Sequence, residues 1–137
     1  MGLWLVQECR RHWERENQSY DYATLTKMAA EATPFRCIIN PDHEPFGKPG
    51  QMPLKINAFC KQTKQKSPSS VGEYVRTCLE ALALAYARTL MNLEQLSGRK
   101  IDVVHIVGGG TQNELLNQMA ADAVDAKRAA GEELGAL

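Results

Sequence analysis

Along residues 2–16 the apolar side chains Leu3, Val6, Cys9 and Trp13 recur at three- and four-residue steps, between Arg10, Arg11, Glu14 and Arg15. That spacing predicts a helix with one buried face. Its first turn, Leu3-Trp4-Leu5-Val6, is apolar nearly all round, so the helix is expected to start inside a core. Asp21 is placed to cap a second helix carrying Tyr22, Leu25, Met28, Ala29 and Ala32, which stops before Pro34. Cys37-Ile38-Ile39 is at best a short strand, and Asn40 to Gly50, with three prolines and two glycines, reads as a loop. Pro53 suits the first turn of a third helix that stripes Met52, Ile56, Phe59 and Cys60.

The strongest periodicity begins at Ser70. Ser70 and Glu73 stand at capping-box spacing, and Val71, Tyr74, Val75, Cys78, Leu79, Leu82, Tyr86, Leu90 and Leu93 follow in helical register until Gly98. A helix of roughly 27 residues is expected, well beyond the usual mean of about 11–12. The period then changes. Ile101 to Val107 is a run of β-branched and apolar residues that predicts a strand buried on both faces. Gly108-Gly109-Gly110 ends it, and Thr111 to Val124 resumes helical spacing with Leu115, Leu116, Met119 and Ala123. Residues 125–137 are Ala-rich and are expected to prolong that helix weakly.

Composition narrows the class. Sixteen basic and sixteen acidic side chains balance, which argues against a nucleic-acid binder of the basic-patch kind and against anionic lipid as a partner. With 44% hydrophobic and 23% charged residues the chain is globular rather than disordered. No apolar run approaches the ~20 residues that span a bilayer. Met1 to Val6 is too short for a signal peptide and leads straight into Gln7 and Glu8, so a cytoplasmic chain is expected. The cysteines, at 9, 37, 60 and 78, form no C-x-x-C pair. Cys9, Cys60 and Cys78 fall at apolar helical positions and read as buried reduced thiols, with a Cys60–Cys78 bridge as the alternative. Asp42, His43 and Glu44 read as solvated loop residues, and no catalytic constellation appears on spacing alone.

One place has the physics of a ligand site. Glycines let a backbone turn sharply and let a flat ring or phosphate come close, and a helix start offers unpaired N–H groups. A buried strand running through Gly108, Gly109 and Gly110 into a helix puts both at the carboxyl end of a strand, where α/β sheets bind ligands. No lysine follows, so this is not a phosphate loop of the G-x-x-x-x-G-K type. Asn113 stands where a dinucleotide fingerprint needs its third glycine, which sets aside an oxidoreductase reading. A plain turn with Asn113 as a cap remains the structural alternative.

Five segments in order carry a resemblance. They are residues 2–9 (GLWLVQEC), 39–42 (INPD), 49–52 (PGQM), 82–86 (LALAY) and 105–113 (HIVGGGTQN). Together they resemble the C-terminal half of the FGGY carbohydrate kinases, and within them the branch that acts on L-rhamnulose, over about residues 2–124. The resemblance implies a helix-rich α/β fold, part of the C-terminal domain of an actin-like ATPase (ribonuclease H-like), with 125–137 a divergent helical tail. It also implies a parent enzyme that moves the ATP γ-phosphate to the 1-hydroxyl of L-rhamnulose, with Mg2+ accompanying the nucleotide. By position in the matching motifs, Gly109 and Gly110 inherit contact with the nucleotide, Gly108 shapes the turn, Asn113 lies near the adenine, and Gln7 lines the same pocket. No metal ligand and no catalytic residue is assigned.

The family's D-x-G-T phosphate segment and its G-P-x-E-A-T loop do not occur in these 137 residues. Phosphoryl transfer depends on positioning, charge stabilisation and a base, so this chain alone is expected to be inactive and to bury its apolar faces imperfectly. The reading from another class is a non-catalytic helical interaction module using the face of residues 70–97, or a nonfunctional truncated product.

Overall fold

The computed structural model describes residues 3–99 and 114–136, with side chains as far as Ala126. Among these residues five α-helices follow in chain order: α1 Trp4–Arg15, α2 Tyr22–Glu31, α3 Met52–Gln62, α4 Val71–Ser97 and α5 Glu114–Ala136, with a 3-10 turn at Glu44–Gly47 before α3. Among the described residues there is no strand. Residues 37–39 take no regular secondary structure, and the Ile38 N–H and carbonyl are both taken, at 2.8 Å each, by the side-chain amide of Gln65. The predicted strand 101–107, Gly108, Gly109, Gly110 and Asn113 lie outside the described residues.

Helix α4 is the hub, packing against α1, α2 and α5, while α3 packs on α1 and the 3-10 turn. Its 27 residues match the expected length, and its first half turns Val75, Cys78, Leu79, Leu82 and Ala83 into the core. At its start the Ser70 hydroxyl accepts the Glu73 N–H at 3.2 Å. The reciprocal half of the expected capping box is displaced by one residue: the Glu73 carboxylate accepts the N–H of Ser69, at 3.0 Å, rather than that of Ser70. Gly98 closes the helix at φ +69, donating to the Glu94 carbonyl. The Asp21 cap of α2 is present, accepting from Thr24 N–H at 2.7 Å. Helix α5 runs unbroken through positions 124 and 125 to Ala136, so the Ala-rich tail continues it as a helix.

The α2–α4 contact is tight at one point. A Cβ placed on Gly72 would stand 2.5 Å from the Met28 carbonyl oxygen, so glycine is what lets the two backbones approach. At the other end of α4 the apolar stripe runs out of partners, leaving Leu93 and Leu96 at 51% and 86% exposure. Among the described residues, the large apolar side chains left exposed are those two and Phe35, Ile38 and Leu54.

The cysteine reading needs correction. Cys37 and Cys60 form a disulfide, joining the segment before the loop to the last turn of α3. Cys60 is therefore not a reduced thiol, nor is Cys78 its partner. The packing decides this: α3 folds back onto residues 37–39, where Gln65 already grips Ile38. Cys9 and Cys78 remain free and buried, as expected. A shared hydrogen bond with Cys78, and then burial, push the Cys9 thiol well above its ordinary range.

Candidate functional site

Gln7 is the one predicted site residue within the described structure. It sits on α1 and is exposed, while its neighbours Leu5, Val6, Glu8 and Cys9 face inward. A helix turns about 100° per residue, so a buried stripe through 5, 6, 8 and 9 leaves position 7 pointing out. The apolar first turn is buried as predicted, though only on the side that carries Leu5 and Val6.

Two contacts tie the long loop to α1 on either side of Gln7. The Trp4 indole N–H donates to the Phe46 carbonyl at 2.7 Å. Glu8, 1% exposed, accepts the Gly50 N–H at 2.9 Å and an Arg11 N–H at 2.7 Å. A buried carboxylate must find donors of this kind, because an unpaired one costs several kcal/mol, on the order of 3–5 when a pair is broken. Sequence reasoning passed over Glu8. Its signal was a charged residue at a core position of the helical period, between Leu5 and Cys9.

The loop itself is more organised than the solvated turn expected. Asn40 Oδ1 accepts from the Asp42 N–H at 3.0 Å, and the Asn40 carbonyl accepts from the His43 N–H at 3.0 Å. His43 is half-buried rather than solvated, its ring edge-on to Phe46 and Phe59 at centroid distances of 5.2 and 5.0 Å. Asp42 stays exposed, 3.6 Å from the Arg88 guanidinium across a solvent-open gap. Among the described residues no group of three His, Cys, Asp or Glu side chains is placed to hold a metal ion, and no helix is long and apolar enough to cross a membrane.

Here the comparison with known proteins bears on the site. Residues 1–137 match the C-terminal domain of the FGGY family of carbohydrate kinases, and the chain belongs to that family. More particularly, it is similar to rhamnulokinases. It is 40% identical over 130 residues to the rhamnulokinase of Bacteroides thetaiotaomicron and 41% over 133 residues to that of Enterococcus faecalis. It is 34% identical over 122 residues to the rhamnulokinase of Oceanobacillus iheyensis. These alignments cover 95%, 96% and 89% of this chain but 26%, 26% and 25% of the relatives. The chain thus spans about a quarter of the length of the curated relatives it matches.

Proposed function

We propose that this chain forms part of the adenosine side of the nucleotide site in a rhamnulokinase-type sugar kinase. The whole protein's reaction is then transfer of the ATP γ-phosphate to the 1-hydroxyl of L-rhamnulose. The observation that carries this reading is the 34–41% identity to three rhamnulokinases across nearly the whole chain. Gly109 and Gly110 are assigned to the nucleotide, with Gly108 shaping the turn, Asn113 near the adenine and Gln7 on the adjoining wall. The outward placement of Gln7, between loop anchors at Trp4 and Glu8, supports a contact role over a packing one.

On this reading the domain belongs to an actin-like ATPase, with residues 125–137 as a helical extension. ATP enters as co-substrate with Mg2+, for which the described residues supply no ligand set. The catalytic base and the phosphate grip belong to the rest of the kinase, so this chain alone binds nucleotide weakly and does not turn over. A free interaction face along residues 70–90 is disfavoured, because α4 keeps Val75, Cys78, Leu79, Leu82, Ala87 and Leu90 buried against its own neighbours, and only Leu93 and Leu96 at its end stay exposed among its described large apolar residues.

The test is titration of ATP and ADP into this chain and into Gly109→Val and Gln7→Ala, read by calorimetry. Weak binding lost in the glycine variant and reduced in the glutamine variant supports the proposal. Binding unchanged in both variants, or no binding to the parent chain at millimolar nucleotide, rejects it for this chain.

A further inference from the structure

A cavity of about 500 Å³ opens between the middle of α4 and the middle of α5. None of its lining residues is assigned to the nucleotide above. The volume lies in the usual range for small-ligand pockets, about 300–1,000 Å³. Its walls are apolar: Ala83 and Leu84 from α4, Met119, Ala123 and Ala126 from α5. Phe35 stands at the mouth, 61% exposed, with its backbone at φ +53. That left-handed conformation is uncommon for a bulky residue and persists only where its surroundings hold it. Here Glu80, 5% exposed, accepts the Phe35 N–H on both carboxylate oxygens, at 3.1 and 3.0 Å. The ring is therefore presented at the opening by a fixed backbone rather than packed away.

Three charged groups among the described residues line the cavity, and two of them satisfy each other. Arg76 donates to Glu80 at 3.2 Å and to the Ala29 carbonyl at 3.1 Å, capping the end of α2. The third, Asp122 on α5, is exposed at the rim, and among the described residues its hydrogen-bond donor is neutral, the Gln118 side-chain amide at 2.9 Å. The described lining residues thus carry one net negative charge above an apolar floor, beside an aromatic face. An apolar ring fits the floor, Phe35 stacks on it or on a cation, and Asp122 pairs with an ammonium group.

We propose that the α4–α5 cleft is a small-molecule site, separate from the nucleotide residues, for an aromatic amine: a flat ring carrying a protonated alkylamine. The site stands on the described geometry whether or not the chain binds nucleotide.

The test uses tryptamine and indole-3-acetate, which share a ring and differ in the sign of their charge, titrated into the chain at low ionic strength so that screening does not hide the rim charge. Tryptamine is expected to bind about fivefold tighter than indole-3-acetate, as one rim carboxylate provides. Asp122→Asn should erase that preference. Phe35→Gly keeps the left-handed backbone without strain while deleting the ring, and should weaken tryptamine about tenfold with no loss of melting temperature. Excess ATP should leave tryptamine bound. No tryptamine binding, equal binding of the two probes, full binding by Phe35→Gly, a preference surviving Asp122→Asn, or displacement by ATP would each overturn the proposal.

Discussion

Glu80, buried in the middle of α4, holds the backbone N–H of Phe35 between its two carboxylate oxygens, 45 positions away in the chain. The same carboxylate receives Arg76 from one turn earlier, and Arg76 in turn reaches the last carbonyls of α2. One buried acid therefore joins α4, the end of α2 and the chain reversal after it. Glu80→Ala leaves the Arg76 cation with no carboxylate partner and the Phe35 N–H unmet, which should cost about 3–5 kcal/mol. Glu80→Gln, which keeps an acceptor, should cost less. Urea unfolding of the two variants measures the difference.

Gly72 gives a sharper steric test. The nearest obstacle to a Cβ is backbone, the Met28 carbonyl at 2.5 Å, which cannot rotate aside as a side chain would. Gly72→Ala should therefore destabilise by about 1–3 kcal/mol, against the helix-propensity gain that alanine normally brings. A lowered melting temperature by circular dichroism is the expected result. Met28→Ala should not restore it, because the clash is with main chain.

The Cys37–Cys60 bridge predicts a thiol count. Of four cysteines, two should react with a thiol reagent in denaturant without reductant and all four after reduction. Mass spectrometry after alkylation reads both numbers. Closing a 23-residue separation should stabilise the fold by about 2–4 kcal/mol, so Cys37→Ser should lower the urea midpoint and be insensitive to reductant. In the native state Cys9 and Cys78, fully buried, should resist alkylation until the chain unfolds.

Alkaline pH should loosen the core. Cys9 holds its proton in the fold beyond the pH at which an unfolded thiol, near 8.5, releases it, because the shared hydrogen bond with Cys78 and burial both favour the neutral form. Above that pH the unfolded chain binds fewer protons than the native one, so stability falls as pH rises and is fully retained below it. Burial raises Tyr74 and Tyr86 in the same direction, extending the decline past about 10. Unfolding midpoints measured from pH 7 to 10 should drop, and less steeply in Cys9→Ala. At the acidic end Asp21, lowered by hydrogen bonding to the Thr24 side chain and then to the Thr24 N–H, works the other way, and its cap is lost as pH falls.

The amino-acid order by itself determined what depends on near neighbours. The 3.6-residue period drew α1, α2, α3 and α4, Asp21 and Ser70 marked two starts, and Gly98 marked an end, because caps and apolar stripes act within a turn or two. The family was legible too, from short segments read together, and with it Gln7 and the glycines as nucleotide candidates. Of these only Gln7 lies in the described structure, and its exposure follows from the helical period that buries Leu5, Val6, Glu8 and Cys9. Contacts between distant residues had no local signature. Cys37 pairs with Cys60 rather than Cys60 with Cys78, Glu8 meets Gly50, His43 packs edge-on against two phenylalanine rings that touch each other, and Glu80 holds the chain at Phe35. Those partners are 3 to 45 positions apart, most of them beyond the reach of any helical turn. Their choice depends on where whole helices come to rest, and a buried charge or thiol takes whichever group the packing brings within bonding distance.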